Sequence, residues 1–514
     1  MKIGIYDKWI RELGGGEKVA LVMTEVLLKM GHDVELISYT DIDKSHLERK
    51  LGVKLSKARM VTWFERRAEK LVPRTRKYDL FINVSYLDHL PSEAEKSIYY
   101  IHFPTPIRRT ILGFIKYETV LPFLRKFLII PEISGGFNPL DEIIVRSGHW
   151  LGRRDRVIIS NSPKRFVVTF RIYVERFTTA SLDLVSFVSP NCKIKVRDKH
   201  IEHRNSICTY MLEVELLKDE NPIIDIRLAK LATVNNLALV SFTVRHFRYF
   251  LLNVIKRFLP AYEMALYGSS SYRPAAGLDT YDTFLANSNF TKYWTKRYWG
   301  KEARLLYPPV DIEEFKAGRK KNFILNVGRF FIGGHSKKQD ILVKAFREMV
   351  NQKMFNEDWE LHLVGGVAVG NEHESFVKEL QKEAAGFPIF FHFYANFTDL
   401  KKLYSEAKIY WHATGFGENM RLEPIKFEHF GITVVEAMAS GCVPVIFAGG
   451  GIPEAVSDKE GFVWKSTKQL KQITQKLAHD KKLSNRLSKN AQVKAKYFSR
   501  NRFAKEFIYI VNSL

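Results

Sequence analysis

The chain has 514 residues, enough for two domains, and a globular composition of 46% hydrophobic and 26% charged residues. A net charge of +24 favours polyanionic partners, and with no nucleic-acid motif in view these are a membrane surface or a phosphate-bearing substrate. Three cysteines without metal-ligand spacing exclude a disulfide framework, and no apolar run approaches the ~20 residues that span a bilayer. The opening residues enter a strand pattern rather than a signal peptide, so a cytoplasmic protein is expected.

In chain order, Lys2–Tyr6 reads as a buried strand, Glu17–Met30 as a helix and Val34–Ser38 as a second strand, a β-α-β unit that implies a parallel sheet. Gly14-Gly15-Gly16 stands directly before the helix, where Gly15 and Gly16 let backbone N–H groups approach a phosphate. The same glycines would also serve a plain tight turn. Strands are expected at 78–84 and 97–102, which sets His102 at a carboxyl strand end, the edge where α/β sheets hold ligands. Arg108–Ile130 alternates basic and apolar residues around Pro122. It reads equally as a segment for an anionic membrane face and as a core helix edged by Lys and Arg stems.

From 151 to 246 short alternating runs replace the helical pattern, with polar clusters about every ten residues. That is the signature of an antiparallel β-sandwich, inserted because the α/β pattern resumes after it. Tyr249–Tyr267 reads as a helix, and Pro308-Pro309 as a stiff linker between domains.

In the second half, strand Phe323–Val327 runs into Gly328-Arg329, and Lys337-Lys338 precede a helix over 340–350. An arginine at a strand end and a lysine near the next helix start can converge on one diphosphate, the first as a fork and the second as a point charge. Register favours Lys337, with Lys338 as the alternative. Further strands are expected at 361–366, 389–394, 409–414 and 443–447, and a final helix at 503–512. The key stretch is Glu428–Gly441, E-H-F-G-I-T-V-V-E-A-M-A-S-G. Its Phe430-Gly431-Ile432-Thr433 turn enters a helix over 432–440, closed by Gly441. The N–H groups of Gly431, Ile432 and Thr433 would face an anion, and Gly431 has no side chain to hold a phosphate off. Glu428 on the loop and Glu436 one turn into the helix would flank a nucleotide diphosphate, one near sugar hydroxyls and the other near the ribose.

This stretch resembles the Glu-x7-Glu motif of retaining glycosyltransferases of the GT-B fold, family 4. The E-H-F-G-I form, and the H-F-P-T-P that begins at His102, are most similar to the α-1,2-mannosyltransferases of dolichol-linked oligosaccharide and their prokaryotic relatives. The segments G-G-G-E-K, A-N-S-N-F-T and G-R…K resemble further motifs of the family, in the same order. The resemblance implies an α/β, GT-B chain of two Rossmann-like domains facing a cleft, with a β-sandwich-like insertion in the N-terminal domain. The expected boundaries are 1–150 and 247–306 for that domain, 151–246 for the insertion, 307–497 for the nucleotide-sugar-binding domain and 498–514 for a helix crossing back.

The implied roles are Arg329 and Lys337 on the departing diphosphate, Glu436 on the ribose, Glu428 on sugar hydroxyls and His102 beside the transferred sugar. Lys338, Phe430, Gly431, Ile432, Thr433, Gly15 and Gly16 would complete the donor site. The implied reaction is metal-independent transfer of a sugar, mannose by the closest motifs, from a nucleotide diphosphate sugar to a hydroxyl acceptor, a glycan or polyprenyl-linked precursor. No cofactor, metal or nucleic-acid partner is expected, and peripheral contact with the inner face of an anionic membrane is. A sugar-nucleotide epimerase of the same fold and a non-catalytic glycolipid-binding protein are the alternatives.

Overall fold

In the computed structural model the described residues are 1–514 apart from 11–13, 40–42, 64–67, 107–119, 134–148, 151–153, 175–182, 203–206, 219, 230–236, 259–276, 335 and 369–370. The chain divides into two units, Met1–Tyr99 with Pro106–Thr283, and Tyr100–Thr105 with Phe284–Leu514.

In the first unit, apolar runs that must be covered on both faces become parallel strands. They are β1 (Lys2–Tyr6), β2 (Asp33–Ser38), β3 (Arg59–Thr62), β4 (Leu80–Asn83) and β5 (Lys96–Ile101), in the order β5-β4-β1-β2-β3. Helix Gly15–Lys29 follows β1, with Val19–Leu27 buried, and starts two residues before the expected Glu17. Most of the basic segment 108–130 lies outside the described residues; its end forms a helix, Leu121–Phe127.

The inserted stretch is a two-sheet sandwich. One sheet has the order β10-β13-β8-β6 and the other β11-β12-β9-β14-β7. Their strands are β6 (Ile130–Ile133), β7 (His149–Trp150), β8 (Arg154–Ser160), β9 (Arg165–Val174), β10 (Val185–Val188), β11 (Cys192–Glu202), β12 (Ile207–Leu216), β13 (Ile223–Leu228) and β14 (Leu237–Val244), all paired antiparallel. Alternation does the folding: Phe166, Val168, Phe170, Ile172 and Val174 of β9 all point into one core shared with Val157, Ile159, Ile224 and Ile226 of the other sheet. Helix Phe247–Phe258 closes it with Tyr249 and Leu252, and the remainder of the helix expected over 249–267 lies outside the described residues.

The second unit carries a parallel pair, β15 (Thr283–Ala286) and β16 (Arg304–Leu305), and a six-stranded parallel sheet. The six are β17 (Lys321–Val327), β18 (Glu360–Gly365), β19 (Ile389–Phe393), β20 (Ala407–His412), β21 (Val443–Phe447) and β22 (Phe462–Trp464), in the order β19-β18-β17-β20-β21-β22. Strand order reverses between β17 and β20, so the carboxyl ends of these two strands form the crevice where such sheets bind ligands. Buried residues on its two faces form separate cores, one around Trp411 and Trp464 and one around Val434, Met438 and Phe498. The last helix, Arg500–Asn512, buries Phe503, Phe507, Ile510 and Val511 and meets β16, where Arg304 donates to the Ser513 hydroxyl at 3.0 Å.

Candidate active site

At the end of β17 the chain turns through Gly328 to Arg329, whose side chain is exposed and ion-pairs with no described residue. Gln339, fully buried, fixes this turn by donating from Nε2 to the carbonyls of Gly328 (3.3 Å) and Arg329 (3.1 Å). Gly328 is required by proximity: a Cβ there would sit 2.5 Å from Cγ of Lys337. The glycine therefore lets the lysine stem pass over the strand end. Lys337 Nζ then reaches Glu428 Oε2 at 2.5 Å, both side chains largely buried. The neighbouring lysine goes elsewhere. Lys338 caps helix Gln339–Asn351 at φ +55° and pairs with Glu418 at 2.7 Å, while Lys426 holds the same carboxylate at 3.0 Å. Lys338 and then Lys426 keep the Glu418 carboxyl below its usual range.

The helix Ile432–Ala439 begins at Gly431, which adopts φ +88° and whose imagined Cβ would lie 2.2 Å from Cδ1 of Ile452. The N–H groups of Ile432 and Thr433 donate to no described residue, the open end expected of a helix start. Two tyrosines brace this first turn. Tyr404 donates to the Thr433 carbonyl (3.2 Å) and to Glu436 Oε2 (3.0 Å), and Tyr410 to Thr433 Oγ1 (2.9 Å). Burial pushes both phenols up, so both remain donors. Phe430 is 4% exposed and packs on Tyr307 and Phe498; its ring anchors the loop from behind.

Glycines 449–451 lie under this loop. Gly451 N–H donates to the Glu428 carbonyl at 2.7 Å, and side chains at Gly450 or Gly451 would strike the carbonyls of Glu428 and His429. His429 stacks on Phe103 at 4.1 Å with 8° between the rings, which brings the 100–105 segment to the same place. There the His102 carbonyl accepts from Asn287 Nδ2 at 2.8 Å and from Thr291 Oγ1 at 3.3 Å, and its half-buried ring meets Tyr100 edge-on. Glu454 ties the cluster to helix Asn289–Trp299 by accepting from the N–H groups of Asn289 and Phe290, both at 2.8 Å.

The second unit thus gathers Lys337, Glu428, Gly431, Ile432, Thr433 and Glu436 at the ends of β17 and β20, with the His102 segment docked on the same loop. Gly15 and Gly16 belong to the first unit, in the opening turn of its first long helix. The N–H of Gly14 there is taken by Glu17 at 2.7 Å. Asp7 has its carboxyl pushed up to about 8 by burial and by Glu17. One residue escaped the reading of the sequence. His412, the last residue of β20, is 3% exposed with Nε2 3.6 Å from Glu428 Oε2.

Residues 309–494 match the family described as Glycosyl transferases group 1. The GDP-Man:Man(3)GlcNAc(2)-PP-Dol alpha-1,2-mannosyltransferase of Homo sapiens is 27% identical over 260 residues, 45% of this chain and 49% of that protein. Its counterpart in Xenopus tropicalis is 29% identical over 182 residues, 33% of this chain and 34% of that one. The matches thus span between a third and a half of the length of these curated relatives. Among solved structures, Anabaena Alr3699/HepE in complex with UDP and glucose aligns over 100% of this chain and 99% of its own, with TM-score 0.51 and 13% identity. A glycosyltransferase from Rickettsia africae ESF-5 aligns over 99% and 97%, with TM-score 0.50 and 12% identity, a likeness of fold. In fold along its whole length, and in sequence over residues 309–494, the chain is similar to the group 1 glycosyl transferases of the GT-B fold.

Proposed function

We propose that this protein is a retaining, metal-independent hexosyltransferase of family 4 that moves a sugar, mannose in our reading, from a nucleotide diphosphate sugar to a hydroxyl of a lipid-linked glycan. The observation that carries the reading is the Lys337–Glu428 pair at the β17/β20 switch point, beside a helix start with open N–H groups. In this reading Arg329, Lys337 and the N–H groups of Gly431–Thr433 take up the negative charge that develops on the departing diphosphate. They supply the positive charge that a metal provides in other transferases. Glu436, held by Tyr404, receives the ribose, and Glu428 receives sugar hydroxyls. His102 orients the sugar from the segment docked through Phe103. With no side chain among the described site residues set to form a covalent intermediate, the acceptor attacks from the face that the diphosphate leaves.

The acceptor's lipid would be met at the cytoplasmic face of an anionic membrane. Supporting this are a net charge of +24 and exposed Phe123, Phe127, Phe247 and Phe250 on helices Leu121–Phe127 and Phe247–Phe258. Among the described residues no helix is long and apolar enough to cross a membrane. The test is transfer from GDP-mannose, against UDP-glucose, to a polyprenyl-diphosphate oligosaccharide, with the anomer read by NMR. Arg329→Ala should lower kcat by about 10²–10³-fold, as loss of one preorganised donor does. Undiminished turnover in that variant, or a product of inverted configuration, would refute the assignment.

A further inference from the structure

The last helix, Arg500–Asn512, buries Phe503, Phe507, Ile510 and Val511 and leaves a second face open. Residues four apart lie one above the other on a helix, so Lys505, Tyr509 and Ser513 form one stripe, with Glu506 beside it. This stripe and β16 enclose a groove of about 560 Å³, lined from the other side by Arg304, Leu305, Tyr307 and Tyr497, all of the second unit. Sites for small ligands enclose roughly 300–1,000 Å³.

Two of its rings are held in place from outside the groove. Tyr307 donates to Glu454 Oε2 at 3.0 Å and packs against Phe430 and Phe498. Tyr497 meets Tyr307 edge-on and carries the Arg502 guanidinium 3.4 Å from its ring centre, and Glu506 holds that guanidinium at 2.7 Å. The third ring, Tyr509, stands 74% exposed on the helix, and Tyr497 is 40% exposed. A single exposed aromatic is ordinary, but three tyrosines round one groove present a concentrated apolar area with polar tips.

The charged groups decide what such a groove can hold. An acyl chain would cover Arg304, Lys505 and Glu506 and give none of them a partner, which costs free energy. A phosphate would be drawn by Arg304 and Lys505 and repelled by the Glu506 carboxylate between them and Tyr497's arginine. A sugar ring suits both signs, because each hydroxyl donates to a carboxylate and accepts from an ammonium or guanidinium. Its C–H face also covers a tyrosine ring while the hydroxyls stay at the edges. We propose that this groove is a saccharide-binding site that shares no side chain with the donor site. It takes a neutral oligosaccharide, with Tyr509 as the stacking platform and Glu506, Arg304 and Lys505 as hydroxyl partners.

The test is ligand-observed NMR on the full-length protein without nucleotide, titrated with mannotriose, with maltotriose and with inorganic phosphate. At least one of the two saccharides should bind and phosphate should not. Tyr509→Ala, a change at an exposed position, should weaken the saccharide about tenfold, and Tyr509→Trp should retain it. Glu506→Gln should weaken it severalfold. Phosphate binding that tightens in Glu506→Gln would assign the groove to an anion and overturn the proposal. Saccharide binding that is unchanged in Tyr509→Ala would put the sugar elsewhere on the molecule and overturn it too, as would binding of neither saccharide. Sugar transfer by the same variants is a separate readout: a failure of the donor site abolishes transfer and leaves the Tyr509 effect on saccharide binding intact.

Discussion

Gly431→Ala offers the sharpest test of how this sequence builds its helix start. At φ +88° and ψ 64° the residue sits in the left-handed region, where a side chain costs on the order of 1 kcal/mol. The new methyl would lie 2.2 Å from Cδ1 and 3.3 Å from Cγ1 of Ile452, and 3.3 Å from Cγ of Glu428. Ile452 is fully buried in the core around Val434 and Met438, so its methyl has little room to retreat. Overpacking of that kind adds about 1–3 kcal/mol, for a sum of roughly 2–4 kcal/mol. With two units in one chain a global midpoint is poorly defined, so the readout should be hydrogen exchange of the amides in helix Ile432–Ala439. A loss of about 3 kcal/mol speeds that exchange roughly 100-fold. Ile452→Val removes the struck carbon and alone costs about 0.5–1.5 kcal/mol. Because the two sites touch, the double variant should be no worse than Gly431→Ala. Wild-type protection in Gly431→Ala, or full addition of the two costs in the double variant, would refute the reasoning.

Three other outcomes follow from the same geometry. Glu454→Ala removes the acceptor of four donors, the Asn289 N–H and amide, the Phe290 N–H and the Tyr307 hydroxyl, and should cost about 1–3 kcal/mol, seen as faster exchange in helix Asn289–Trp299. Asp225→Ala removes the carboxylate whose two oxygens accept from Arg156 at 2.6 and 3.1 Å, and should cost about 1–3 kcal/mol in the sandwich, read from the amides of β8 and β13. Asp7 titrates near 8 in the folded chain, above its ordinary range, so its contribution to stability is full below that range and is lost as pH rises towards 8. Stability of the first unit measured from pH 4 to 8 should therefore decline, and Asp7→Asn should flatten the decline.

The α/β grammar was legible because its signals are local. Apolar runs flanked by amphipathic helices mark β1, β2, β17 and β20, and strict alternation marks β9 and β12 as faces of a sandwich. Errors of a residue or two fell at helix ends, where a backbone bond rather than a side chain decides. Gly15 and Gly16 belong to the helix that Glu17 seemed to begin. What no periodicity carries is long-range bonding such as Asn287 to the His102 carbonyl and Glu454 to the Asn289 N–H, which link residues 185 and 165 positions apart.

The site divides along the same line. The residue types that handle a diphosphate, an arginine, a lysine and glycines at strand and helix ends, are visible as motifs because chemistry fixes both their identity and their local backbone. What those residues do to one another is not. Nothing in the spacing says that Lys337 holds Glu428 while Lys338, one residue on, turns to Glu418. Lys338 does so from a left-handed backbone position, φ +55°, at the start of its helix. The case of His412 is different, because a signal was present. The strand-end rule that singled out His102 applies equally to a histidine closing β20, on the side of the sheet where strand order reverses. Sixteen positions then separate it from Glu428, and the loop between them holds Glu418 and Lys426, which neutralise each other at 3.0 Å. A charged loop of that kind hides in sequence what the fold makes plain: the buried imidazole and the carboxylate meet behind it.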